Sequence, residues 1–189
     1  MYSRSELNKV ADAVYEEELG IAPVSEDTQN KIMGVIRQTF PDVECIGHGY
    51  GRTALHFSKP PHRPLTEEEQ KLTFNGVVIK IAYADADPDT GDDGAEQNGT
   101  ELYFWRDSSL PIPQTPVFDH QETVGTPNWI MMPYRTPVEE MSDIEEILDN
   151  DLSFITEPND VLHASSWGRT ETGDPECIDY GRFSPYDLP

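Results

Sequence analysis

Lys80 and Asp179 carry the chemistry that this sequence offers most openly. Lys80 stands within Val77-Val78-Ile79-Lys80-Ile81-Ala82, an apolar and β-branched run that reads as a buried strand. Asp179 stands in Ile178-Asp179-Tyr180-Gly181, which reads as a short apolar strand ending in an acid, an aromatic and a glycine. Upstream, Gly47-His48-Gly49-Tyr50-Gly51 spaces its glycines two apart. Such spacing lets backbone amides approach a ligand, with the aromatic at the turn tip folding over it. A lysine from one strand, an aspartate from another and a Gly-rich hairpin before both make up most of a site for nucleotide phosphates and Mg²⁺. The glycines also fit a plain tight turn, and Lys80 also fits a strand-edge lysine paired with a local acid. Lysine is scarce, however, at five in the whole chain, and one set inside an apolar strand does not serve solubility. A half-buried ammonium needs an anionic partner.

Three more groups extend the pattern. Glu101 opens the aromatic-rich stretch Glu101-Leu102-Tyr103-Phe104-Trp105, 21 residues after Lys80, where a helix start is expected over 100–108. A carboxylate presented there could orient Lys80 toward a phosphate. Trp129-Ile130-Met131-Met132-Pro133-Tyr134 reads as a strand running into a linker, whose exposed backbone groups around Met132 and Tyr134 could grip an adenine edge. Asp160 precedes the turn Leu162-His163-Ala164-Ser165-Ser166, and Asp179 follows it. A strand–turn–strand there brings both carboxylates to one cleft, Asp179 to hold Mg²⁺ and Asp160 to accept a hydroxyl proton. Two other sites fit poorly. Asp85, Asp87, Asp89 and Glu96 match positions 1, 3, 5 and 12 of a Ca²⁺ loop, but Gly91 comes one residue late and Pro88 interrupts. His48, His56 and His62 lack compact zinc-ligand spacing and a nearby cysteine cluster.

In this order and spacing the motifs resemble the protein-kinase-like superfamily over residues 43–183, closest to its small-molecule and phage-type kinases. The signature there is acid–Leu–His–x–x–Asn–hydrophobic–Gly, then Asp–aromatic–Gly. The resemblance implies that Gly47, Gly49 and Gly51 cover the phosphates of ATP and that Lys80 contacts them. It implies that Glu101 pairs with Lys80, that Met131–Tyr134 is the hinge, and that Asp179 binds Mg²⁺. Ser166 takes the place of the family's metal-binding Asn. Five residues before it stands Val161, with Asp160 one residue too early for the catalytic acid. The sequence ends eight residues after Gly181, so a reduced C-terminal lobe is expected.

The elements that must position these residues are readable. Helices are expected over 3–19, capped by Ser3 or Ser5, and over 26–40, capped by Ser25 and stopped by Pro41. Strands are expected over 43–47 and 53–58 as a hairpin, then over 72–82, 117–120 and 129–132. Residues 59–70 and 83–99 read as charged loops, and 137–155 holds a further helix. The fold class is therefore α+β: a kinase-like antiparallel N-lobe (43–135) behind a helical segment (1–42), with a reduced C-lobe (136–189).

Charge is the outlier. Thirty-six acids oppose 13 bases for a net −23, spread along the whole chain. That pattern suits a surface kept hydrated in molar salt, a halophile type, better than a nucleic-acid mimic. With so few bases, direct nucleic-acid binding is not expected. No signal-peptide core and no apolar run of membrane length is present, so a cytoplasmic or virion-associated protein without membrane contact is expected. Cys45 and Cys177 read as reduced thiols. Three functions stand open: a pseudokinase module acting by binding, with an unknown protein partner; an active minimal phosphotransferase; and an acidic nucleic-acid mimic or inhibitor of unrelated fold.

Overall fold

A computed structural model describes residues 2–16, 25–49, 51–84, 93–107, 112–145, 147 and 162–181. The fold is mixed α and β, with four helices and a five-stranded antiparallel sheet among the described residues. The chain divides into two units: Met1–Asn98 with Phe118–Tyr134, and Gly99–Val117 with Arg135–Pro189.

The first unit opens with helix α1 (Arg4–Glu16). Ser3 and Glu6 form a reciprocal cap, the Ser3 Oγ accepting from the Glu6 N–H at 3.2 Å and the Glu6 carboxylate from the Ser3 N–H at 2.7 Å. Leu7, Val10, Ala11 and Val14 are its buried residues, one helical face. Helix α2 (Glu26–Thr39) has Ser25 as N-cap and buries Ile32, Met33 and Ile36. Strands β1 (Glu44–His48), β2 (Arg52–Phe57) and β3 (Val77–Ala82) follow, with a short helix α3 (Glu67–Leu72) between the last two. Helix α4 (Gly94–Asp107) begins in this unit and passes into the second at Gly99, while β4 (Asp119–His120) and β5 (Trp129–Pro133) complete the sheet in the order β1-β2-β3-β5-β4.

One face of this sheet and the two N-terminal helices share a single apolar core. Leu55, Val77, Ile79, Ile81, Tyr83, Trp129 and Met131 pack there with the buried faces of α1 and α2. Helices α1 and α2 therefore cover the strands, because an amphipathic helix pair needs an apolar surface to pack on. Alternation along β3 turns Val78, Lys80 and Ala82 to the opposite face, yet all six residues of β3 are buried.

Several boundaries differ from expectation. The loop expected over 59–70 contains α3, started by a Thr66–Glu69 capping box, with no buried residue to leave a periodic signal. The strand expected from residue 72 begins only at Val77, after that helix ends. Helix α4 begins at Gly94, well before residue 100, because Asp93 caps it: Asp93 Oδ1 accepts from the Glu96 N–H at 2.8 Å, and Glu96 accepts from the Asp93 N–H at 3.2 Å.

The edge of the sheet at β4 carries a partly buried charge cluster that no local motif announces. Asp119 accepts from Arg4, from His62 at 2.9 Å, from Arg63 at 2.8 Å and from the His120 N–H at 2.9 Å. Arg63 also grips Glu69 with two bonds of 2.7 Å, and Arg4 lies over the Trp129 ring. Burial alone would raise the Asp119 carboxyl, but the His62, Arg63, His120 and Arg4 donors outweigh it and hold the group well below its ordinary 3.8. A carboxyl lowered in the folded state stabilises the fold at pH above its unfolded value. That contribution is lost as pH falls below about 4. Asp119→Asn should cost about 2 kcal/mol near neutral pH, since it removes the charged acceptor shared by Arg4, Arg63 and His62. It should also flatten the acid limb of the stability curve, read by denaturant melts from pH 7 to 3; an unchanged acid limb would remove the cluster from the account.

The second unit holds strands β6 (Thr136–Pro137), β7 (Trp167–Arg169) and β8 (Pro175–Cys177) in one antiparallel sheet. Phe104, Ile112, Val138, Ile144, Trp167, Cys177 and Tyr180 form its apolar cluster. Pro137 lies in β6 and a 3-10 turn occupies Met141–Asp143, and within the stretch 137–155 expected to hold a helix, residues 145 and 147 are helical. Residues 146 and 148–155 lie outside the described residues. Gly173, at φ 92°, closes the β7–β8 hairpin. Both cysteines are free, Cys177 buried and Cys45 partly so.

Candidate functional site

The glycine turn joins β1 and β2, as expected, and Gly47 sits at a bulge where the register shifts between Cys45 and Gly47. The Gly49 N–H donates to the Arg52 carbonyl at 2.9 Å and closes the turn. Its three glycines are there for different reasons. An added Cβ at Gly51 would come within 3.0 Å of Gly94 backbone atoms and of the Gln97 amide. Gly51 is thus a packing glycine beneath the start of α4. At Gly47 and Gly49 the nearest atoms to an added Cβ are 3.5 and 3.9 Å away, ordinary contact, and neither has a positive φ. Among the described residues nothing crowds a side chain at those two positions. Tyr50 lies outside the described residues.

Lys80 is buried, at 7% exposure, in the middle of β3. Its cross-strand neighbours are Ala54 on β2 and Ile130 on β5. Arg52, opposite Ala82, points to the same face of the sheet and is 8% exposed. Its guanidinium donates to the Asn98 side chain at 3.3 Å, and Asn98 in turn donates to the Pro127 carbonyl at 3.0 Å. Two cations therefore lie on one buried face within a chain of −23, and sequence reading singled out only the first.

The turn is also held from below by a residue that sequence reading passed over. Tyr83 follows β3 directly, is 1% exposed, and donates its N–H to the Gly51 carbonyl at 2.9 Å. Its hydroxyl donates toward the Arg52 carbonyl at 2.8 Å and toward the Gly49 carbonyl. The His48 ring lies 5.7 Å from the Tyr83 ring, and burial pushes the His48 imidazole below its ordinary value. The available signal was an aromatic directly after the lysine strand, a place where a ring can root in the core.

The linker residues behave differently from expectation. Free backbone groups were expected around Met132 and Tyr134. Instead the Tyr134 N–H donates to the Gly76 carbonyl at 2.9 Å, the Met131 carbonyl accepts from the Phe118 N–H at 2.8 Å, and Pro133 has no N–H to offer. The physical reason is topological: β5 is an interior strand between β3 and β4, so its backbone groups are used in the sheet.

In the second unit, Ser166 and Asp179 come together through the backbone. The Ser166 carbonyl accepts from the Ile178 N–H at 2.8 Å and from the Asp179 N–H at 3.3 Å. Ile178–Gly181 is therefore not a strand. Its amides turn to Ser166, the ladder stops at Cys177, and Tyr180 buries its ring and donates to the Thr115 carbonyl at 3.0 Å. Asp179 stays partly exposed beside this anchored aromatic. Glu101 does not open its helix but lies in the middle of α4, fully buried. Asp160 and Val161 lie outside the described residues.

Among the described residues no group of three or more His, Cys, Asp or Glu side chains converges as a metal site. No described helix is long and apolar enough to cross a membrane. No protein-family model matches the chain, and a search of curated proteins finds no match.

Proposed function

We propose that this chain is a nucleotide-binding module of protein-kinase-like build, acting mainly by binding. The observation that carries the reading is the setting of Lys80. It is one of five lysines, buried on the sheet face opposite the apolar core, on the strand next to a glycine hairpin in which no described residue crowds Gly47 or Gly49. A close-approaching ligand would account for glycine at those positions. Further support comes from the order of elements: glycine hairpin, lysine strand, helix with a buried glutamate, two strands, linker, then a hairpin closing on an Asp–aromatic–Gly. In the family a glutamate of that helix balances the lysine, and the aspartate holds Mg²⁺ with ATP. The acidic surface is of the halophile type in this reading.

Phosphotransfer is expected to be weak or absent. Ser166 stands where the family has a metal-binding Asn, and a hydroxyl is a poorer Mg²⁺ ligand than an amide carbonyl. Transfer at about 1–100 s⁻¹, abolished by Asp179→Ala, would instead make the chain an active kinase.

The test is ligand-dependent stability in molar KCl. A native-state ligand at 100 times its Kd raises stability by about 2.7 kcal/mol. Mg-ATP should raise the thermal midpoint of the wild type. The double variant Gly47→Ala with Gly49→Ala should lose most of that rise, while its midpoint without nucleotide stays within about 0.5 kcal/mol of wild type. Lys80→Met should abolish the nucleotide effect. A wild type unmoved by Mg-ATP would end the reading, and variants that keep the full rise would move the phosphate site elsewhere.

A further inference from the structure

We infer that Asn75 is a site of spontaneous deamidation, prepared by the His56 imidazole, and that the fold shields the two comparable sites of the chain. Glycine follows an amide or acid of this type at three places: Asn75-Gly76, Asp93-Gly94 and Asn98-Gly99. With no side chain on the following residue, its nitrogen can reach back to the side-chain carbonyl carbon and close a cyclic imide.

The fold decides which of the three can react. Asn98 is fully buried in α4; its side chain accepts from Arg52 at 3.3 Å and donates to the Pro127 carbonyl at 3.0 Å, and the Gly99 N–H is used in the helix. The Asp93 carboxylate accepts from the Glu96 N–H at 2.8 Å and from the Tyr15 hydroxyl at 2.7 Å, while the Gly94 N–H donates to the Tyr83 carbonyl at 3.2 Å. Asn75 is different. It is exposed in the turn between α3 and β3, and neither its side chain nor the Gly76 N–H has a hydrogen-bond partner among the described residues.

His56 adds activation to exposure. Its Nε2 lies 2.7 Å from the Asn75 carbonyl oxygen, and a carbonyl only accepts, so that nitrogen carries the proton. A donor on this oxygen draws electron density from the Asn75–Gly76 peptide and eases loss of the Gly76 amide proton. The Tyr134 ring, 4.8 Å away, packs against the imidazole. The Gly76 nitrogen then bonds to Asn75 Cγ, the Cγ–Nδ2 bond breaks, and ammonia leaves with the proton that Gly76 gave up. Water opens the imide at either carbonyl, giving aspartate or isoaspartate and restoring the Gly76 N–H. Isoaspartate lengthens the main chain beside Gly76, which is already pressed on the Phe57 carbonyl, at the foot of the strand that carries Lys80.

The test is peptide mapping of the full chain aged at mildly alkaline pH, one sample folded in molar KCl and one unfolded in guanidinium. The folded protein should convert Asn75 at least as fast as the unfolded chain does. Asn98 and Asp93 should each slow about tenfold or more on folding, since they must wait for α4 to open. His56→Phe keeps a ring against Tyr134 and removes the donor; it should slow Asn75 about threefold or more in the folded protein and leave the unfolded rate unchanged. A folded Asn75 slower than the unfolded one, or a folded Asn98 or Asp93 as fast as the unfolded one, overturns the inference. So does a folded His56→Phe protein that converts Asn75 at the wild-type rate. Should that variant fail to fold, the wild-type comparison of folded with unfolded chain still decides.

Discussion

Transfer from 0.1 M to molar KCl should raise the thermal midpoint by about 10 °C or more, the equivalent of roughly 3 kcal/mol at 2–4 °C per kcal/mol for a chain of this size. The net charge of −23 is the cause. At 0.1 M salt the screening length is about 10 Å, so carboxylates on neighbouring elements repel one another; near 1 M it falls to about 3 Å and that repulsion is largely gone. Attractive pairs are screened too, and the question is which side loses more. Here the strongest attractions are sheltered. His62 and Asp119 leave 2% and 12% of their side chains exposed, and Arg63 meets Glu69 through two direct bonds. The repulsions instead come from exposed acids such as Glu67 and Glu68, and salt reaches those first. A midpoint that is flat or falls with KCl would contradict this balance and revive an acidic protein built to meet a basic partner.

Gly94→Ala should destabilise the protein by about 3 kcal/mol or more, at the upper end of what overpacking costs. Alanine ordinarily favours a helix over glycine by about 1 kcal/mol. At Gly94 the new Cβ would fall 1.8 Å from the Gly51 carbonyl oxygen, 2.7 Å from its carbon and 3.0 Å from the Ala82 Cα. All three are backbone atoms, so no side chain can swing aside, and either the start of α4 or the glycine turn must move. Gly34 supplies the opposite sign. It lies exposed in α2 with nothing within 4 Å of an added Cβ. Gly34→Ala should therefore stabilise by up to about 1 kcal/mol. Denaturant melts of both variants in molar KCl check the pair. Equal and small effects would show that the Gly51–Gly94 approach is not tight in solution.

What could be read from residues alone followed periodicity and caps. The α1 and α2 helices announce themselves through apolar residues three and four apart and through serine caps. Strand β3 does so through its unbroken apolar run, and the β1–β2 hairpin through its glycines. The misses share one physical origin: they depend on partners remote in sequence or on faces without apolar residues. Helix α3 buries nothing, so only its Thr66–Glu69 box could have revealed it. The early start of α4 rests on the Asp93–Glu96 box inside a stretch whose acids look merely solvated. The Asp119 cluster gathers Arg4, His62, Arg63 and Glu69, none of which is a neighbour of Asp119 in sequence. For the candidate site, residue types were readable while backbone use was not. Composition cannot tell that Tyr134 spends its amide on Gly76, or that Ile178 and Asp179 turn theirs to Ser166.

The placement of the two cysteines makes the protein its own two-channel clock. Each unit carries a single free thiol, Cys45 in the first and Cys177 in the second. Cys177 is fully buried among Phe104, Trp167 and Tyr180, so an alkylating reagent reaches it only when that unit opens. Cys45, partly buried beside Thr53, reports on the edge strand of the first. Because the adducts fall on different peptides, one time course by mass spectrometry separates opening of the second unit from fraying at the edge strand of the first, without a mutation.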